Sequence, residues 1–237
     1  MSGTALKKIA IITMLIDHIG AAFFYVFTSS YDGSADFAGA DLIYQILRII
    51  GRTSFPLFCF LLVEGFLHTR SIAKYLLRLL LFALLSEIPF DLAFYDKVWD
   101  VSMQNVFFTL FLGVLAMASL RWGENLGAAK RKGMWRIFAG WLGAMLCVGA
   151  AYLLRTDYAG GGIVLILVMY VLRTQRKLMS LAGYITMCLV MRESWCFPAF
   201  FLIPEYNGKK GKGAKYFFYV FYPVHLLVLA GIRILYI

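Results

Sequence analysis

Apolar stretches separated by short polar connections recur along the whole chain. A run of about 20 apolar residues, wound as a helix, matches the thickness of a bilayer's hydrocarbon core. The pattern predicts helices over about residues 5–27, 42–67, 75–95, 103–120, 137–154 and 158–172. Two shorter segments follow, over about 178–191 and 195–203, and a last helix starts at Tyr216. The short pair is close to or below spanning length, so it is read as tilted, broken or re-entrant. The expectation is one all-α polytopic membrane domain over residues 1–237 with about nine transmembrane helices, or eight with a re-entrant piece. The first apolar run carries Asp17 and His18 and ends in no small-x-small cleavage site, so it reads as a retained helix rather than a signal peptide.

The charges set an orientation. Lys7 and Lys8, the turn with Arg70 and Lys74, the connection with Arg121, Lys130, Arg131, Lys132 and Arg136, the turn with Arg173, Arg176 and Lys177, and the loop with Lys209, Lys210, Lys212 and Lys215 all fall on one side of that threading. Asp32, Asp36 and Asp41 fall on the other. By the positive-inside rule the N-terminus is cytoplasmic and the C-terminus outside, in a multi-pass cell membrane protein. Composition agrees: 62% hydrophobic and 15% charged residues exclude an ordinary soluble domain. The net charge of +10 is then topology rather than a nucleic-acid footprint. Cys59, Cys147, Cys188 and Cys196 show no metal-ligand spacing and read as core thiols, with no metal expected. The Gly-rich basic loop over 207–215 departs from the Walker order and reads as a solvated loop.

Ionisable groups inside apolar segments are costly and therefore propose a site. Asp17 and His18 stand side by side in the first helix, His18 roughly 20 Å from its cytoplasmic end. Arg48 and Arg52 share a face of the second helix. Glu87 and Asp91 flank Pro89, whose missing N–H frees a carbonyl. Asn105 sits at the outer end of the fourth helix, and Pro223 precedes His225 in the last. The plainer reading of the charged set is that Arg52 pairs with Glu87 and Arg48 with Asp91 to fix helix positions. A second cluster, Glu64 and His68 followed by Arg70, Lys74 and Arg78, offers cationic donors suited to phosphate near the cytoplasm.

Several motifs together resemble the TraX family over nearly the whole chain. They run from Leu6-Lys7-Lys8 through Asp17-His18-Ile19-Gly20, Leu47-Arg48-Ile49-Ile50-Gly51-Arg52, Glu64-Gly65-Phe66 and Ser86-Glu87-Ile88-Pro89-Phe90-Asp91. They continue through Gln104-Asn105, Thr156-Asp157-Tyr158, Tyr206-Asn207-Gly208-Lys209 and Tyr222-Pro223-Val224-His225. That family, known for N-acetylating pilin, is similar in turn to the acyltransferase-3 and heparan glucosaminide N-acetyltransferase proteins. The resemblance implies transfer of an acetyl group from cytosolic acetyl-CoA to an amine or hydroxyl, on a peptide N-terminus or amino sugar, at the outer side.

Under that reading His18 is the general base or the acyl-accepting nucleophile. Asp17 braces another helix, since adjacent helical residues diverge by about 100°. Arg52, Asn105 or His225 stabilises the oxyanion, and Glu87 or Asp91 orients His18 or holds an ammonium. Arg70, Lys74 and Arg78 receive the donor's phosphates, with Arg48, Glu64 and His68 grouped as further donor-binding candidates. Expected partners are acetyl-CoA, the external acceptor, membrane lipids and a second copy of the chain. The alternative is a small transporter or channel that relays protons or a solute through the same groups, although no inverted repeat is evident.

Overall fold

A computed structural model describes residues 1–24, 35–127, 133–212 and 217–236, with side chains left undescribed at 24, 35–38, 126–127 and 236. The helices, in chain order, are α1 (Gly3–Ile19), α2 (Ala35–Gly51), α3 (Ser54–Leu67), α4 (Ile72–Tyr95) and α5 (Val106–Gly127). α6 (Gly133–Leu153), α7 (Ala159–Val171), α8 (Arg176–Val190), α9 (Phe197–Leu202) and α10 (Phe217–Tyr236) follow. A π-helical turn, Gly20–Phe24, continues α1. Among the described residues there is no strand beyond an isolated bridge between Gln104 and Thr156.

Within the described residues the predicted segments are helical, with three corrections; residues 25–27 of the first segment and Tyr216 of the last lie outside the described residues. The first α-helix gives way after Ile19 to the wider π-turn. The second segment begins near residue 35 and breaks at Arg52 and Thr53 into α2 and α3. Arg121 and Arg136, expected in a connection, lie on α5 and α6, while Lys130, Arg131 and Lys132 lie outside the described residues. So do Asp32 and Lys215, and the side chain of Asp36.

Four stretches are long and apolar enough to cross a membrane: Gly39–Leu67, Val106–Asn125, Gly133–Leu153 and Phe217–Leu235. Their outer faces fit that solvent. On α6, Met134 is 84% exposed and Trp135 79%, and Leu146 and Leu153 are exposed as well. On α4, Leu77, Leu81, Leu84, Leu85 and Ile88 form one exposed apolar stripe at helical spacing. In water each such side chain would forfeit about 1.5–3 kcal/mol of burial; against lipid tails that cost vanishes.

The chain divides into two compact units. One comprises Met1–Phe58, Leu85–Asp100 and Glu193–Ile237; the other comprises Cys59–Leu84 and Val101–Arg192. In the first, α1 packs on α2 and α10. A helix start leaves N–H groups without partners, and here the 205–210 segment supplies acceptors. Gly3 N–H donates to the Lys209 carbonyl and Thr4 N–H to that of Lys210, both at 2.9 Å. Ser2 Oγ accepts from Ala5 N–H, and the terminal ammonium donates to the Glu205 carbonyl. The basic loop is therefore built against the start of α1 as far as Gly211, rather than simply solvated. Gly208 and Gly211, at φ 76° and 77°, make its turns without the strain a side chain would bring. At the far end of α10, Arg233 is 9% exposed; it donates to the Ala93 carbonyl at 2.7 Å and pairs with Asp96, closing the C-terminus of α4.

In the second unit α5 and α6 form a tight hairpin on small residues. Ser119 Oγ donates to the Gly140 carbonyl at 3.0 Å, and a Cβ on Gly123 would lie 2.8 Å from the Arg136 carbonyl oxygen. Small residues let two helix backbones approach where no hydrophobic force drives them together. α7 is the apolar centre of this unit, with Gly160–Gly162, Ile163, Leu165, Ile166, Leu167, Met169 and Tyr170 all buried.

Candidate functional site

The last turn of α1 puts His18 beside His225 of α10. His18 Nδ1 lies 2.7 Å from His225 Nε2, and the two rings are within 7° of coplanar. His225 Nδ1 lies 2.8 Å from the Phe221 carbonyl oxygen one turn earlier. A carbonyl oxygen only accepts, so His225 Nδ1 must carry a proton. With His225 neutral, its Nε2 is the acceptor and His18 Nδ1–H the donor. His18, when neutral, therefore keeps its proton on Nδ1 and presents a bare lone pair at Nε2. The second histidine dictates the tautomer of the first, as a hydrogen-bond partner at one ring nitrogen generally does.

Aromatic edges frame the pair. Phe94 and Tyr222 meet the His18 ring edge-on at centroid distances of 5.4 and 5.9 Å, and Phe221 stacks on His225 at 4.9 Å. His225 is buried and His18 remains partly accessible. Only the first imidazole thus offers a face to an incoming group. The π-turn begins two residues after His18, and such insertions gather at functional positions because they swing side chains out of regular register.

Asp17 points away from the pair, as helical geometry requires, and its Oδ2 receives Arg48 Nη1 at 2.7 Å. Its bracing partner is α2. Gly51 makes room: a Cβ there would collide with the Asp17 carboxylate. One turn after Arg48, Arg52 Nε pairs with Glu193 at 3.2 Å. Arg48 and Arg52 thus pair with Asp17 and Glu193, where Asp91 and Glu87 were expected. The break at Arg52 and Thr53, together with the non-helical stretch 191–196 that carries Glu193, supplies different partners. Glu193 is a site residue that the sequence pattern does not single out; off any helix, its depth cannot be counted by helical rise. Two carboxylates and two guanidiniums make this cluster formally neutral.

Asp91 is fully buried, and its Oδ2 accepts from the Asp100 backbone N–H at 2.8 Å, which closes the loop after α4. Glu87 is also buried, 3% exposed. Asn105, in the other unit, is the N-cap of α5. Its Oδ1 accepts from Phe107 N–H at 3.0 Å and its Nδ2 donates to the Ala83 carbonyl at 2.8 Å. Its amide is thereby engaged in local structure. Of the phosphate candidates, Arg70 and Lys74 are exposed. His68 is exposed too and bonds back to the Glu64 carbonyl at 2.8 Å. Arg78 is more organised: its guanidinium lies 5.8 Å from the centroid of the Tyr75 ring.

The architecture defines the class: an all-helical membrane protein with helices of spanning length and a cluster of paired ionisable groups among its helices. The chain belongs to the TraX protein family, whose sequence model matches residues 2–233. It is 32% identical over 260 residues to a probable fimbrial assembly protein, FimC of serogroup H1, from Dichelobacter nodosus. That alignment covers 98% of this chain and 96% of the relative. No solved structure matches.

Proposed function

We propose that the chain is a transmembrane acyltransferase that moves an acetyl group from cytosolic acetyl-CoA to an amine or hydroxyl on the outer side of a bacterial cytoplasmic membrane. The observation that carries this reading is the His18–His225–Phe221 hydrogen-bond chain, which leaves Nε2 of a neutral His18 without a proton. In this reading the chain crosses the membrane about nine times, with its N-terminus in the cytoplasm and C-terminus outside. A peptide amine is the first acceptor to try, because the Dichelobacter relative is named for fimbrial assembly.

The acceptor N–H gives its proton to His18 Nε2 as its nitrogen attacks the thioester carbonyl. The C–N bond forms, the C–S bond breaks, and the proton passes from Nε2 to the departing thiolate, leaving an acetylated acceptor and free CoA. Positive charge arising on His18 strengthens its Nδ1–H bond to His225 and is shared with it. Such a positioned base contributes roughly 10²–10⁴ in rate. Arg52 is the candidate for the oxyanion, and Arg70, Lys74 and Arg78 supply cationic donors for the phosphates.

The test is transfer of labelled acetyl from acetyl-CoA to a panel of peptides and amino sugars by purified protein in vesicles. Label on an acceptor, lost in His18→Ala with the protein still folded, is expected. Label transfer at wild-type rates in His18→Ala would remove His18 from the chemistry. The two linked imidazoles also suit a proton relay, which favours the transporter as a second reading; proton flux into the same vesicles without acyl transfer would establish it.

A further inference from the structure

In the unit built from Cys59–Leu84 and Val101–Arg192, three guanidiniums each lie against an aromatic ring. Arg78 lies against the Tyr75 ring, and the Tyr75 hydroxyl sits so close to Gly65 that a Cβ there would be 2.9 Å away. The next residue, Phe66, carries the Arg121 guanidinium over its face at 5.6 Å and meets Tyr170 edge-on at 5.6 Å. Arg173 stacks on Tyr170 at 4.2 Å.

These cations are not used alike. Arg173 is committed: it donates to Glu124 at 3.1 Å and to the Tyr170 carbonyl at 2.9 Å, while the Tyr170 hydroxyl donates to the same carboxylate at 3.2 Å. Arg121 has no carboxylate within ion-pair distance among the described residues. Arg78 Nε is a buried donor without an acceptor. Buried donors are almost always satisfied, so an orphan in the same unit as a guanidinium with no ion pair points to an acceptor supplied from elsewhere.

We propose that Arg78 and Arg121 bind the phosphates of a nucleotide, each guanidinium held against a ring, Arg78 by Tyr75 and Arg121 by Phe66. The planar fork of arginine matches phosphate oxygens in pairs, and a stacked guanidinium loses less freedom on binding. Coenzyme A is the nucleotide if the acyl-transfer reading holds; the phosphate chemistry itself does not require it. Arg121 replaces Arg70 and Lys74 as the residue of greatest consequence, since it is placed by packing and they are free on the surface.

The experiment measures binding of coenzyme A, adenosine 3′,5′-bisphosphate and phosphate-free pantetheine to full-length protein in detergent. Arg78→Gln and Arg121→Gln should each weaken both nucleotides by about tenfold, the equivalent of one lost charged hydrogen bond, and leave pantetheine unchanged. Lys177→Gln is the control. If Arg78→Gln does not fold, Arg121→Lys, which keeps the charge and loses the fork, should still show a partial loss. Coenzyme A bound with unaltered affinity in the variants overturns this site and leaves the acyl-CoA reading standing. Arginine-dependent binding of the bisphosphate without binding of coenzyme A supports the site and removes that reading. Wild-type protein that binds neither nucleotide overturns the site. So does a variant that loses affinity only for vesicles containing phosphatidylglycerol, which would assign the cations to lipid headgroups.

Discussion

The two polar regions handle charge in opposite ways. Around Asp17 both arginines meet a carboxylate, Arg48 with Asp17 and Arg52 with Glu193, and the cluster is formally neutral. Along the band in the other unit, Arg173 pairs with Glu124, while among the described residues no ion pair reaches Arg78 or Arg121, whose guanidiniums rest on aromatic faces instead. The neutral cluster has what it needs to hold helices in place. The cationic band is incomplete in charge, and that is the condition of a surface that receives an anion.

The contrast predicts unequal costs for removing charge. The largest loss should follow Arg48→Leu, which strands the Asp17 carboxylate: roughly 2–3 kcal/mol of stability, with the partial exposure of the pair already discounted. Adding Asp17→Asn to that variant should restore most of it, measured by chemical denaturation in detergent. A double variant no more stable than the single would show that the pair braces nothing. Gly51→Ala tests the same contact from the other side, since its methyl must displace the carboxylate; about 1–3 kcal/mol is expected, the usual cost of overpacking.

Asn105→Ala should cost about 1 kcal/mol by removing the cap of α5. A change in acetyl transfer out of proportion to that loss would return Asn105 to the chemistry. Arg121→Gln should be smallest, at about 0.5 kcal/mol for its contact with the Phe66 ring. A loss as large as that of Arg48→Leu would mean that Arg121 has a structural partner and that the contrast between the regions is false.

Most of this architecture is legible in the order of residues alone. Helix positions follow from apolar periodicity, because intramembrane segments have little freedom in length. Asp17 and His18 stand out because bilayer depth makes ionisable groups expensive, and their divergence around α1 sends Asp17 to Arg48 and His18 to His225. Periodicity does not convey the break at Arg52 and Thr53, or the depth of Glu193 on a non-helical stretch, and it therefore misses the pairs with Asp17 and Glu193. It places His225 at the right level but suggests an oxyanion donor. The role of His225 in setting the tautomer of His18 depends on a ring nitrogen and a backbone carbonyl, which no residue pattern encodes. Arg121 reads as one more loop charge, since its aromatic neighbour Phe66 is distant in sequence.

The most direct test of the account is the tautomer of His18, read by nitrogen NMR on protein labelled at histidine. The chain has only three histidines, so His18→Gln and His225→Gln assign the signals without ambiguity. The account predicts a protonated, pyrrole-type Nδ1 and a bare, pyridine-type Nε2 at His18, with that preference lost when His225 is replaced. A bare Nδ1 and protonated Nε2 in the wild-type protein would contradict it, because the nitrogen offered to a substrate would then have no lone pair to give.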